Sequence, residues 1–159
     1  MATTSEKQAF ITRMWNEIKG EELTGFFPSV LIAQAALESN WGQSSLAAKY
    51  NNYFGIKAGS SWTGPTINLK TNEVFGGVTT SINSKFRVYN SLIDSIRDRN
   101  KLLSTARYAT VKNATTPQAQ AEAIKNSGYA TALNYVSAIM TTINANNLLK
   151  FDDLKKKWL

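Results

Sequence analysis

Residues 28–42 read Pro28-Ser-Val-Leu-Ile-Ala-Gln-Ala-Ala-Leu-Glu38-Ser-Asn-Trp41-Gly42, and this stretch decides the fold. Proline suits the first turn of a helix, where its missing N–H costs nothing, and glycine marks the stop. The helix predicted from Pro28 to Trp41 is apolar on nearly every face, so it belongs at the centre of a helical body. Working outward, Phe10, Ile11, Met14, Trp15 and Ile18 recur at helical spacing and predict an amphipathic helix that ends before Gly20. The stretch from Tyr50 to Ser84 changes character: it holds five of the nine glycines, with many Asn, Ser and Thr residues. Within it Thr66 to Tyr89 predicts a hairpin, with Ile67, Leu69 and Thr71 on one side and Gly76-Gly77 at the turn. This makes a β lobe at about residues 60–89. Helices then resume. Leu92, Ile96 and Leu103 share a face, Pro117 opens a further helix, and Leu133, Val136, Met140 and Ile143 form an apolar stripe. The run Lys155-Lys156-Lys157 reads as a frayed, solvated tail. The expectation is one α+β domain over residues 1–159, mostly helical, with a small β-hairpin lobe.

The composition excludes much. With no cysteine and no histidine, disulfides, Cys/His zinc sites, cysteine nucleophiles and Ser-His-Asp triads are ruled out. Acid–base chemistry must come from eleven carboxylates, with Lys and Tyr. The net charge of +7 lies wholly between Lys49 and Lys125, because the flanks carry seven charges of each sign. A basic middle fits an anionic partner, either nucleic acid, a membrane surface or the bacterial cell wall, and it also fits a solvated surface. No stretch approaches the ~18 apolar residues of a membrane span, and residues 1–19 lack a signal-peptide pattern.

Elimination narrows the carboxylates. Glu6, Glu17, Glu21 and Glu22 lie on or beside a surface helix with Lys7, Arg13 and Lys19. Asp94 and Asp98 share a helix with Arg97, Arg99 and Lys101 within pairing distance, Glu122 lies near Lys125, and Asp152 and Asp153 belong to the lysine tail. Glu38 has no such company: it is the only charged residue among the 26 between Glu22 and Lys49. Burial and the negative end of the helix dipole both disfavour its ionised form, as a general acid near neutral pH requires. A glutamate that reaches solvent at the helix end, or that satisfies nearby backbone groups, is the other reading. Glu73, the only acid between Glu38 and Asp94, should project from the hairpin, where it could face Glu38 across a groove. Two carboxylates flanking a sugar bond is the usual arrangement for glycoside cleavage. Aromatic residues gather around the same segment (Tyr50, Tyr53, Phe54, Trp62, Tyr89), some to stack on sugars and about half to pack the core.

Five stretches appear in order: Ala-Leu-Glu38-Ser-Asn-Trp-Gly42, Asn51-Asn52-Tyr53-Phe54-Gly55-Ile56-Lys57, Thr71-Asn72-Glu73, Phe86-Arg87-Val88-Tyr89 and Gly128-Tyr129-Ala130-Thr131. Over roughly Phe27 to Ile143 the series resembles the bacterial glucosaminidase domain, glycoside hydrolase family 73, of autolysins, phage lysins and the flagellar rod-cap hydrolase. The resemblance implies a lysozyme-like α+β fold and hydrolysis of the peptidoglycan glycan strand by an endo-β-N-acetylglucosaminidase. It implies Glu38 as general acid, with Glu73 and Tyr129 as the other catalytic residues. Asn51, Phe54, Trp62 and Tyr89 are the expected substrate contacts. The family continues its last motif with Asp-Pro, and here Ala132 and Leu133 stand instead.

In the implied chemistry Glu38 protonates the glycosidic oxygen, and Glu73 stabilises the developing positive charge or activates water. The substrate's own 2-acetamido group, held by Tyr129, is the other route. No metal or cofactor is needed. The expected partners are the glycan strand and anionic wall polymers, with no nucleic acid and no membrane insertion, for a monomer. The place of action is the bacterial cell wall, extracellular or periplasmic, reached by phage-lysin-type release or from a longer parent chain. The rivals are an N-acetylmuramidase or a lytic transglycosylase on the same strand, and a cell-wall-binding module that does not cut.

Overall fold

The computed structural model describes residues 1–156. In chain order the elements are α1 (Thr4–Ile18), α2 (Pro28–Ser39), α3 (Ser45–Tyr50), β1 (Thr66–Phe75), β2 (Val78–Arg87) and α4 (Leu92–Leu102). A 3-10 turn (Ala106–Tyr108), α5 (Pro117–Asn126), α6 (Tyr135–Ala145) and α7 (Leu149–Lys156) follow. α2 is the hub, packed against α1, α5, α6 and α7. Val30 to Ala36 of this helix have no exposed surface at all. Its N-terminus has no side-chain cap of its own. The free N–H groups that every helix leaves there are met from elsewhere. Phe27 N–H donates to Gln120 Oε1 on α5 (2.9 Å), and Ser29 donates through its backbone N–H (2.8 Å) and hydroxyl (2.7 Å) to Asp152 on α7.

α2 ends two residues earlier than its apolar pattern predicts. Asn40, Trp41 and Gly42 all take positive φ, so the chain leaves the helix at Ser39, and Glu38 stays in the last turn. The hairpin forms in the predicted register: Phe75 pairs with Val78 across Gly76-Gly77, whose positive φ values suit a two-residue turn. Alternation places Ile67, Leu69, Thr71 and Glu73 on the less exposed face of β1. The base of the hairpin is clamped to the body. Arg87 bonds the Lys57 carbonyl (3.0 Å) and pairs with Asp98 on α4 (2.8 Å), and Tyr89 O–H also donates to Asp98.

Three expectations are corrected. The buried face of α6 is Tyr135, Ile139, Thr142 and Ile143, whereas Leu133 is 87% exposed and precedes the helix. The rest of the predicted stripe does face inward, since Ile143 is fully buried and Val136 and Met140 pack against the core. The lysine run is not a free tail up to Lys156: Lys155 is buried and its ammonium donates to the Lys19 carbonyl (2.9 Å), while Asp152 caps α2. Lys157 lies outside the described residues. The α4 charges do not pair along their own helix. Arg97 binds Glu21, Asp98 binds Arg87, and Arg99 is wholly buried.

Candidate active site

An open groove of about 990 Å³ runs between the end of α2, the hairpin and the loop after α5. Glu38, Glu73 and Tyr129 all line it. Glu38 is partly buried. Its carboxyl is pushed up to about 7, first by burial and second by the negative charge of Glu73. Close packing on it explains Gly55: at φ +67, a Cβ there would lie 3.0 Å from Glu38 Oε2.

Glu73 is held differently. Its Oε1 pairs with Lys57 Nζ at 2.8 Å, and Thr131 Oγ1 donates to Oε2 at 3.4 Å. These contacts join the hairpin, the loop after α3 and the loop after α5 at one point. Tyr129 has spent its proton, because its hydroxyl donates to the Phe54 carbonyl at 2.6 Å. Burial and the nearby Glu38 carboxylate push that phenol further up. The Tyr129 loop lacks Asp-Pro, yet it is braced. Arg107 donates to the carbonyls of Ser127 (2.8 Å) and Gly128 (3.2 Å). Gly128 has φ +95, a conformation that strains other residues, so the loop favours glycine there.

The four expected substrate contacts lie outside this groove. Phe54 is fully buried, so its side chain packs the core and only its backbone carbonyl serves the site. Asn51 ends α3 with positive φ and donates to the Tyr89 carbonyl (3.0 Å). Tyr89 is buried with its hydroxyl on Asp98. Trp62 lies beneath the Arg87 guanidinium, 4.9 Å from it, and lines a separate shallow cavity of about 390 Å³. Asn51 and Tyr89 therefore help hold the base of the hairpin, and Phe54 packs the core. Sequence reasoning passed over Lys57, Arg107 and Tyr135, which also line the groove. For Lys57 the signal was present, since it closes a quoted motif. For Arg107 none was visible, because its partners are backbone carbonyls. Among the described residues, no group of three or more His, Cys, Asp or Glu is placed to hold a metal ion, and no helix is long and apolar enough to cross a membrane.

Comparison with known proteins gives the family and the fold. The family model described as mannosyl-glycoprotein endo-beta-N-acetylglucosaminidase matches residues 17–148. Peptidoglycan hydrolase FlgJ of Salmonella typhimurium is 39% identical over 127 residues, covering 77% of this chain and 40% of that protein. A Lactococcus lactis protein named "Probable N-acetylmuramidase" is 37% identical over 161 residues, covering 95% of this chain and 36% of that protein. The chain thus spans about two fifths of the length of these curated relatives. The crystal structure of a peptidoglycan hydrolase mutant from Sphingomonas sp. A1 superimposes with a TM-score of 0.78 at 34% identity, covering 91% of this chain and 97% of that one. The lysozyme-like α+β architecture is thus shared with solved peptidoglycan hydrolases, and the chain belongs to the glucosaminidase family of glycoside hydrolases.

Proposed function

We propose that this domain hydrolyses the glycan strand of peptidoglycan as an endo-β-N-acetylglucosaminidase, with Glu38 as its general acid. The observation that carries the reading is the pair of unlike carboxylates on one groove. Glu38 is uncompensated, with its carboxyl raised to about 7, and Glu73 is ion-paired with Lys57. Near neutral pH Glu38 therefore retains a substantial protonated fraction. It gives that proton to the glycosidic oxygen as the bond to the anomeric carbon breaks, and the departing sugar leaves as an alcohol. Glu73, an anion on the facing hairpin, stabilises the positive charge on the ring or takes a proton from the attacking water. Tyr129 shapes the wall of the groove through the Phe54 carbonyl. Lys57, Lys70, Arg87 and Arg107 give the groove a basic lining, suited to the carboxylates of peptide stems and to anionic wall polymers.

Digestion of purified peptidoglycan, borohydride reduction and mass analysis test this. N-acetylglucosaminitol ends are expected. Muramitol ends would support the second reading, an N-acetylmuramidase, which the name of the Lactococcus lactis relative favours. Anhydro-muramyl ends would indicate a lytic transglycosylase, and binding without release a module that does not cut.

A further inference from the structure

Arg99 of α4 is fully buried, yet no carboxylate meets it. Its guanidinium lies between the rings of Phe26 (5.1 Å) and Phe54 (5.8 Å). Nη1 donates to Asn100 Oδ1 (2.8 Å), and Nη2 has no partner among the described residues. Nε donates to Gln34 Oε1 at 3.0 Å, and Gln34 Nε2 in turn donates to the Tyr135 hydroxyl at 3.0 Å. All three side chains are buried. A buried cation without a counter-charge is costly to keep, so its one directed contact toward the groove calls for an explanation.

Helix geometry supplies it. Gln34 and Glu38 are four residues apart on α2, so they lie on one face about 6 Å apart along the axis. Long helical side chains lean toward the N-terminus, so the Glu38 side chain leans toward the turn that carries Gln34, and in this structure no hydrogen bond yet joins its carboxyl to Gln34 or Tyr135. Tyr135, tied to Gln34, lines the same groove as Glu38. Its oxygen already accepts from Gln34, so its own proton is free to be donated, whereas that of Tyr129 is committed to the Phe54 carbonyl. We propose that Arg99, Gln34 and Tyr135 form a buried positioning relay whose free phenol proton supports the Glu38 carboxylate that remains after proton transfer. Arg99 polarises the Gln34 amide, the amide orients the phenol, and the phenol O–H donates to the new anion. No covalent bond changes within the relay. The proposal rests on the reading of Glu38 as the acid.

The other charged or titratable groups that line the groove with Glu38 are Glu73 and Lys70 on β1, Lys57, Arg87 on β2, Arg107 and Tyr108 of the 3-10 turn, and Tyr129. Burial pushes the phenols of Tyr129 and Tyr135 well above their usual range and that of Tyr108 above it, so all three stay protonated near neutral pH. Arg99 is lowered to about 10 by burial and remains a cation there.

The test uses Tyr135→Phe on a soluble glycan fragment, with the pH profile of kcat/KM and a carbon NMR titration of the Glu38 carboxyl. Loss of a donor to the anion raises the carboxyl pKa. The alkaline limb and the NMR midpoint are expected to move up by roughly one pH unit. kcat should fall about tenfold, because a weaker acid gives up its proton more slowly. Gln34→Met should reproduce the shift, and Arg99→Lys should shift it less than Arg99→Met. Circular dichroism checks each fold, and Gln34→Met decides the matter if Tyr135→Phe does not fold. A uniform loss of rate with an unmoved limb and midpoint would overturn the relay. Glu38→Gln, run in parallel, separates the two claims. If it stays active, the acid assignment fails, while the NMR midpoint still judges the relay.

Discussion

The two carboxylates on the groove come from opposite kinds of structure. Glu38 sits at the end of a helix with no exposed residue from Val30 to Ala36, anchored by side chains from α5 and α7. Glu73 sits near the tip of a two-stranded hairpin that pairs chiefly with itself and ends in the exposed pair Phe75 and Val78. The body removes water from its carboxyl and so favours the protonated form. The lobe gives its carboxylate an ammonium partner and so favours the anion. A rigid body is needed for the first effect, because desolvation requires packing that does not yield. The second needs only a nearby lysine and tolerates a movable support. The raised carboxyl and the ion-paired one are thus divided between the packed body and the exposed lobe of one groove.

The contrast can be broken at either end. Glu38→Gln should cost the most, roughly 10²–10⁴-fold in turnover, with the fold kept. The same variant carries a stability signature. Between pH ~4.5 and ~7 the folded chain holds a proton at Glu38 that the unfolded chain has released, so this group's stabilising share is full below that window and lost as pH rises through it. The variant should therefore be more stable than the parent at pH 8, by on the order of 3 kcal/mol, and equal to it at pH 4. Thermal melts at the two pH values check this, and equal differences at both would contradict the raised carboxyl.

Glu73→Ala should lose about a hundredfold, at the low end of general-base contributions, and azide should restore part of the rate by supplying a small anion. A mild defect without rescue would move weight to attack by the substrate's acetamido group. Asp152→Ala tests the body without touching the groove. It strips an acceptor from the Ser29 N–H and hydroxyl and should cost about 2 kcal/mol in chemical denaturation, leaving kcat intact. Lys57→Met breaks an ion pair whose lysine is 47% exposed. It should therefore cost well under about 1 kcal/mol in stability, with a several-fold loss of activity as Glu73 loses its anchor. Val78→Ser at the hairpin tip should change stability by less than about 0.5 kcal/mol, and a larger effect would show that the tip is packed.

Much of this contrast could be read from residues alone. An apolar run opened by Pro28 and closed near Gly42 could only be a central helix, and one charge within it drew attention to Glu38. Period-two alternation around Gly76-Gly77 placed Glu73 with Leu69 and Thr71. The places where the structure departs from the reading share a cause. Phe54, Asn51 and Tyr89 looked like ligand contacts because aromatic and amide side chains serve sugars and cores equally well, and only burial separates the two uses. Arg99 looked like a surface charge because the α4 pattern allows helical pairing, whereas its partner is Gln34, 65 positions away. Gln34 itself was a missed signal. A polar residue one turn before Glu38 in a buried helix must find a hydrogen-bond partner.

The sequence by itself determined the order and type of α1, α2, the hairpin, α4, α5 and α6, the turn of that hairpin, the absence of thiol and imidazole chemistry, and the isolation of Glu38. These follow from periodicity, turn chemistry and composition, which act over a few residues. Only the tertiary structure decided that Asp152 caps α2 across 123 positions, that Lys57 and Thr131 meet at Glu73, that Tyr129 spends its proton on Phe54, and that Arg99 reaches Tyr135 through Gln34. The physical reason is that a buried polar group must be satisfied by some partner, and chain packing, which brings distant residues together, decides which one it finds.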